Sequence, residues 1–199
     1  MNHKAMHGNR TKAFVPTALL LATLLGACAG DGLGGRALEA AGMRKPAQLE
    51  AMKAPRSVAL RLHAAPKLNA DAQGRPLALV ARVYTLRQNA AFEAAPYATF
   101  LTPGADREAF GPDLVEVKDV TLVPGERYEV VEKVPRDAAY VGVVALFRSP
   151  APQRWRMSFK AAEAESAGIT VAVQACALTA GVATAAIANT PASASVRCQ

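Results

Sequence analysis

Histidine, cysteine and closely spaced carboxylates are the side chains from which a hydrolytic or metal site would be built, and this chain uses them sparingly. Of its three histidines, His3 and His7 lie in the first seven residues, which leaves His63 alone in the rest. A Ser-His-Asp or Cys-His site would have to be assembled around it. Yet His63 alternates with apolar residues on a strand-like run beside Arg61, the place of an outward-facing histidine. His63, Cys176 and Cys198 have none of the usual zinc-ligand spacings. The glycine cluster Gly30, Gly32, Gly34 and Gly35 neither follows a strand nor opens a helix, as a phosphate-cradling loop would. Asp113, Glu116 and Asp119 fall near one strand, and surface carboxylates alone specify no reaction. No catalytic residue, metal or cofactor is therefore expected, and the weight moves from an enzyme to a binding module.

Cys28 is the cysteine with a context of its own. Lys4, Arg10 and Lys12 form a positive segment without acids, Ala13 to Leu25 are apolar, and Leu25-Gly26-Ala27-Cys28 closes the run. Small residues before a cysteine at that place are the pattern of a bacterial lipoprotein signal, so residues 1–27 are expected to be removed and Cys28 lipidated. An apolar run of about 13 residues carrying Pro16 is short of the roughly 20 needed to cross a bilayer. An ordinary secretory signal would leave the placement of Cys28 to chance. Ala29 follows where the Asp associated with inner-membrane retention is absent, which points to the outer membrane.

Cleavage before Cys28 leaves 172 of the 199 residues and removes three cations, lowering the net charge from +7 to +4. The remaining Lys and Arg are scattered and often have acidic neighbours, as in Glu126-Arg127 and Glu132-Lys133, so a nucleic-acid surface is not indicated. The length suits one domain with a core. With Cys28 taken by lipid, Cys176 and Cys198 are the pair left in an exported chain, and a disulfide is the economical expectation. It would close a loop of about 22 residues, worth roughly 3 kcal/mol in the chain-entropy model. Two separate thiols, or pairing between chains, are the other readings.

The elements that must position any site are strands. Residues 28–56 read as a flexible tether, rich in Gly and Ala and broken by Pro46 and Pro55, with a short helix packed on the domain as the other reading. Val58, Leu60 and Leu62 alternate with Ala59, Arg61 and His63, and Leu77 to Leu86 is a second apolar run. The polar segment Pro66 to Pro76 between them is longer than a hairpin turn needs, and long loops on β scaffolds are where binding surfaces are found. Asn89 is placed to cap a short helix ended by Pro96, with Phe92, Tyr97 and Phe100 folding against a sheet edge. Val115–Val123 and Tyr128–Val134 flank Pro124-Gly125 and read as a hairpin, with an apolar phase slip near Asp119 that suggests a bulge. Tyr140–Phe147 reads as a strand buried on both sides at the centre of a sheet. Trp155, Met157 and Phe159 alternate with Arg154, Arg156, Ser158 and Lys160, and Ile169, Val171 and Val173 repeat the pattern. Seven strands and no long amphipathic helix imply an all-β fold, a two-sheet antiparallel sandwich at residues 57–177, followed by a low-complexity tail at 178–199.

Leu60-Arg61-Leu62-His63, Leu68-Asn69-Ala70-Asp71-Ala72-Gln73-Gly74-Arg75-Pro76-Leu77 and Val80-Ala81-Arg82-Val83-Tyr84-Thr85-Leu86, with Ala91-Phe92-Glu93, Tyr140 to Arg148 and Trp155-Arg156, resemble the TssJ family. These are outer-membrane lipoproteins of the type VI secretion system, and the resemblance spans Val58 to Val173. It implies a transthyretin-like sandwich on the periplasmic face of the outer membrane. It also implies a partner, the periplasmic C-terminal domain of the inner-membrane protein TssM, held by the loop between the first two strands. That loop maps to Ala65–Arg75, with Lys67, Leu68, Asn69, Ala70, Asp71 and Gln73 as the binding residues. Leu68 is expected to be the apolar anchor, Asn69, Asp71 and Gln73 polar partners, and Gly74 a turn residue. The alternative is a periplasmic lipoprotein that binds a small ligand or glycan, for which a pocket lined by Tyr84, Tyr97 or Trp155 would speak.

Overall fold

The computed structural model describes residues 53–181 and Cys198. The expected signal peptide, Cys28 and most of the expected tether lie outside the described residues, as does most of the tail. Eight strands are seen among the described residues: β1 (Arg56–Ala64), β2 (Leu79–Leu86), β3 (Leu114–Leu122), β4 (Arg127–Val134), β5 (Tyr140–Ala145), β6 (Arg156–Lys160), β7 (Ile169–Val173) and β8 (Leu178–Ala180). Four short α-helices, α1 (Ala90–Ala94), α2 (Tyr97–Leu101), α3 (Ala105–Phe110) and α4 (Ala161–Ala167), and a 3-10 turn at Gly111–Asp113 join them. The strands form two four-stranded sheets, β4-β1-β7-β8 and β3-β2-β5-β6.

The architecture is the two-sheet β-sandwich, with one departure from antiparallel order. β1 and β7 run parallel, Leu60 beside Ile169 and Ala64 beside Val173. The alternation of β1 does what it implies: Val58, Leu60 and Leu62 are buried, while Ala59, Arg61 and His63 stay partly exposed. Ile169, Val171 and Val173 add the same face of β7. From the other sheet come Ala81 and Val83 of β2 with Val141, Val143 and Ala145 of β5, and the two inner faces close into one core.

Two sequence expectations are corrected by the pairing. β3 and β4 are not a hairpin: β3 pairs with β2, Leu79 opposite Leu122, whereas β4 pairs with β1, His63 opposite Arg127. The Pro124-Gly125 turn, with Gly125 at φ 81°, carries the chain from one sheet to the other. The register break in β3 lies at Val115, where the partners step from Glu116 to Leu114, and not near Asp119. Val117 shares a face with Tyr84 and Val120 with Ala81, so the apolar phase slip reflects a strand packed on both sides.

The second side is a helical layer over the outer face of the β3-β2-β5-β6 sheet, more extensive than the single short helix expected. Phe92, Phe100 and Phe110, one from each of α1, α2 and α3, surround the ring of Tyr84 with centroids 5.5–5.9 Å away. The Tyr84 hydroxyl donates to Asp106 Oδ2 at 2.8 Å, and Arg82 donates to the same oxygen and to the Phe100 carbonyl. Gly142 is required beneath this layer, because a Cβ there would stand 2.8 Å from Phe92 Cζ. The layer also corrects the reading of β6. Arg156 and Ser158 do not face water; both are buried. The Arg156 guanidinium donates to the carbonyls of Phe92, Glu93 and Ala95 and so satisfies the end of α1. Ser158 donates to Glu93 and accepts from the Asn89 amide, so Asn89 precedes α1 without a side-chain capping bond.

β8 corrects the boundary of the tail. Leu178 is buried and pairs with Val173, and Ala180 pairs with Val171, so the chain continues the sheet beyond residue 177. Among the described residues no helix is long and apolar enough to cross a membrane.

Candidate functional site: the β1–β2 loop

Residues 65–78 connect β1 of one sheet to β2 of the other at one end of the sandwich, and their backbone is held at several points. Ala65 donates to the Val173 carbonyl and accepts from Gly125. Leu68 donates to Ala65 in a tight turn, and Leu77 donates back to Leu68, which closes the base of the loop on itself. Asn69 adopts φ 46°, a left-handed conformation that Asn tolerates better than most residues. Its side-chain amide donates to the Ala78 carbonyl at 3.1 Å, and its Oδ1 accepts the Arg148 backbone N–H at 2.8 Å. One side chain thus ties the loop to its own far limb and to the β5–β6 connection.

The distal part is organised by Asp71. Its Oδ1 accepts the backbone N–H groups of Gln73 and Arg75, both at 2.9 Å, and its Oδ2 accepts Arg75 Nε at 2.7 Å. The Arg75 N–H bond, aided by its guanidinium and the Gln73 N–H, holds the Asp71 carboxyl below its ordinary value of 3.8, against the opposing effect of desolvation. The Gly74 N–H donates to the Asp71 carbonyl, with Gly74 at φ 75°. The result is a compact tip whose shape is fixed by its own chemistry.

These bonds separate the expected binding residues into two groups. Leu68 is not an exposed anchor: it is fully buried in the main core. The turn at Ala65–Leu68 folds the side chain inward, where burial is worth about 1.5–3 kcal/mol. Asn69 is also buried and spends its polar atoms on the protein, and Asp71 spends its carboxylate on the loop. Ala70 is half-buried. Lys67, Ala72, Gln73, Gly74 and Arg75 reach solvent, as do Pro66, Pro76, Leu77 and Ala78. Beside them stand exposed Val123, in the β3–β4 turn, and Arg148. Sequence reading passed over Val123 and Arg148 because they adjoin the loop only through the fold. Their positions just beyond strand ends are the one signal the sequence carries.

Cys176 and Cys198 are joined in a disulfide. Cys176 is buried with Ala151 and Ala177, and Ala151 donates to its carbonyl. Cys198 lines one groove with Ala70, Asp71, Gly74, Arg148 and Ser149, so the bridge brings the far end of the chain beside the loop. The aromatic residues named for a ligand pocket pack on one another instead: Trp155 against Tyr97 and Phe100, and Tyr84 within the phenylalanine cluster. His63 lies on the outer face of its sheet, 3.7 Å from a Glu129 oxygen.

Residues 56–176 match the family model described as type VI secretion lipoprotein, with SciN, VasD, EvfM and TssJ as its names. No curated protein matches the chain in sequence. Among solved structures, the T6SS lipoprotein TssJ1 from Pseudomonas aeruginosa is 27% identical with a TM-score of 0.59, the match covering 69% of this chain and 99% of that one. A chain of a type VI membrane complex is 29% identical with a TM-score of 0.58, covering 63% and 98%. A chain in the structure described as the T6SS protein TssM C-terminal domain from EAEC is 29% identical with a TM-score of 0.53, covering 62% and 96%.

Proposed function

The chain belongs to the type VI secretion lipoprotein family, and on that premise we propose that it anchors the secretion membrane complex to the outer membrane by binding the periplasmic C-terminal domain of an inner-membrane TssM-like protein. Acyl chains on Cys28 supply the attachment, at about 0.8 kcal/mol per buried methylene, and more than one chain makes it lasting. The sandwich is then a binding module without a reaction of its own.

The observation that carries this reading is the pairing of an exposed tip with a fixed base in the β1–β2 loop. Lys67, Ala72, Gln73 and Arg75 stand in solvent while Leu68, Asn69 and Asp71 hold the backbone beneath them. A loop already in its bound shape loses little conformational entropy on docking, which is how preorganised surfaces gain affinity. The occurrence of similar chains in a type VI membrane complex and in a structure of a TssM C-terminal domain supports the choice of partner.

A binding titration with the TssM-like periplasmic domain of the same genome tests it. Saturable binding is expected, lost in Ala72→Trp, which blocks the tip without touching the core. Leu101→Ala, at the exposed apolar residue of the helical layer, is expected to leave binding unchanged. No binding, or loss with Leu101→Ala alone, overturns the reading.

A further inference from the structure

We propose that the loop end of the sandwich is a basic docking face that selects a carboxylate-rich protein surface; this rests on the reading of that end as the partner site and gives the partner its chemistry. Five cations occupy the connections and strand starts here. Lys67 and Arg75 lie in the β1–β2 loop, Arg127 opens β4, and Arg148 and Arg154 lie between β5 and β6. The connections belong to one end because β1 finishes beside the start of β4 and the end of β7, while β2 starts beside the ends of β3 and β5.

Two carboxylates accompany the five cations on these connections, and both are already spent. Asp71 holds the loop tip, and Glu126 Oε2 accepts the Val123 N–H at 2.8 Å. Lys67, Arg127, Arg148 and Arg154 form no ion pair among the described residues, although the charge of Arg148 is felt by the Asp71 carboxyl. Elsewhere most are matched: Arg56, Arg82, Arg87, Lys118, Arg136 and Arg156 each face a carboxylate, Lys133 donates to the Ser57 hydroxyl, and exposed Arg107 is the exception. Away from this end most cations face a carboxylate, whereas four of the five here do not, and that excess of positive charge is what an acidic surface would complete.

Two features favour a protein over an anionic membrane as the source of those carboxylates. Exposed Leu77 and Val123 stand among the cations and provide apolar contact. The chain also enters the sandwich at Arg56, at the other end of the nine-residue strand β1. That is roughly 30 Å from the loop at the rise of an extended strand. The basic end therefore lies away from the end where the tether arrives.

The test titrates the chain from residue 28, carrying Cys28→Ser to keep it soluble, with the TssM-like periplasmic domain at low and high salt. The Lys67→Glu/Arg148→Glu double variant keeps every side-chain hydrogen bond named above, because Arg148 contributes only its backbone N–H to Asn69. It is expected to bind at least about tenfold more weakly, chiefly through a slower on-rate, and high salt is expected to weaken the wild-type chain in the same way. Arg107→Glu, on the helical layer, is expected to change neither. Should charge reversal perturb folding, Lys67→Gln/Arg148→Gln is expected to lose affinity several-fold with an unchanged unfolding midpoint. Wild-type binding that ignores both salt and reversal overturns the basic-face proposal while the docking reading stands; no wild-type binding overturns both. Reversal that abolishes binding to phosphatidylglycerol vesicles but spares the protein partner also overturns it, with a membrane as the occupant.

Discussion

Asn69 and Arg148 are 79 residues apart in sequence, yet the side-chain oxygen of the first accepts the backbone N–H of the second at 2.8 Å. The bond joins the β1–β2 loop to the β5–β6 connection, so the exposed surface at this end of the sandwich is set by both.

Asn69→Ala removes this bond and the one to Ala78, and places an ordinary residue at φ 46°. The expected cost is about 2–3 kcal/mol in urea unfolding. Asn69→Gly loses the same bonds but tolerates the backbone, and is expected to be milder by several tenths of a kcal/mol or more. Equal losses would remove backbone conformation from the account.

Leu68 is a folding residue. Leu68→Ala is expected to lower stability by about 2–5 kcal/mol, and Leu68→Asp to leave an unfolded chain by circular dichroism. Lys67→Ala, at the exposed neighbour, is expected to stay within about 0.5 kcal/mol of the parent. A stable, well-folded Leu68→Asp would contradict the burial of that side chain.

The closeness of Gly142 to Phe92 predicts a compensating pair. Gly142→Ala is expected to cost about 1–3 kcal/mol by overpacking, and Phe92→Leu in the same chain to recover part of it. A double-mutant cycle measures the coupling; strict additivity would mean that the helical layer yields elsewhere.

Asp71 gives a pH dependence with a definite sign. Its carboxyl is held below the ordinary 3.8 in the folded chain, so its contribution is complete above that value and is lost as the pH falls through the lower, folded-state value. Amide exchange at Gln73 and Arg75, whose N–H groups it accepts, is expected to lose protection in that acidic range before the core does. Asp71→Asn should remove the pH dependence. Protection that follows global unfolding at every pH would show that the tip has no separate stability.

The sandwich is legible where one face is buried and the other is wet. The alternation in β1 and β7 and the unbroken apolar run of β5 identify those strands, and β5 does lie between β2 and β6. Pairing is less so. Pro124-Gly125 states that the chain turns, and nothing in those residues says whether the next strand joins the same sheet. The parallel contact of Leu62 with Val171 is made between segments more than 100 residues apart, and local pattern is blind to it. Arg156 shows the limit of polarity as a guide to exposure, since a helix end offering three carbonyls serves a guanidinium as well as water does. The same limit applies in the loop. Leu68 among polar residues reads equally as an anchor held out or a peg turned in, and the turn at Ala65–Leu68, which folds the side chain into the core, decides it.

The most direct measurement is photo-crosslinking in intact cells, with a photoreactive residue placed at Gln73 of the full chain and, separately, at Leu101 on the helical layer. The account predicts a crosslink from position 73 to the TssM-like protein and none from position 101. A crosslink from 101 alone, or from neither while the secretion complex is assembled, would contradict it.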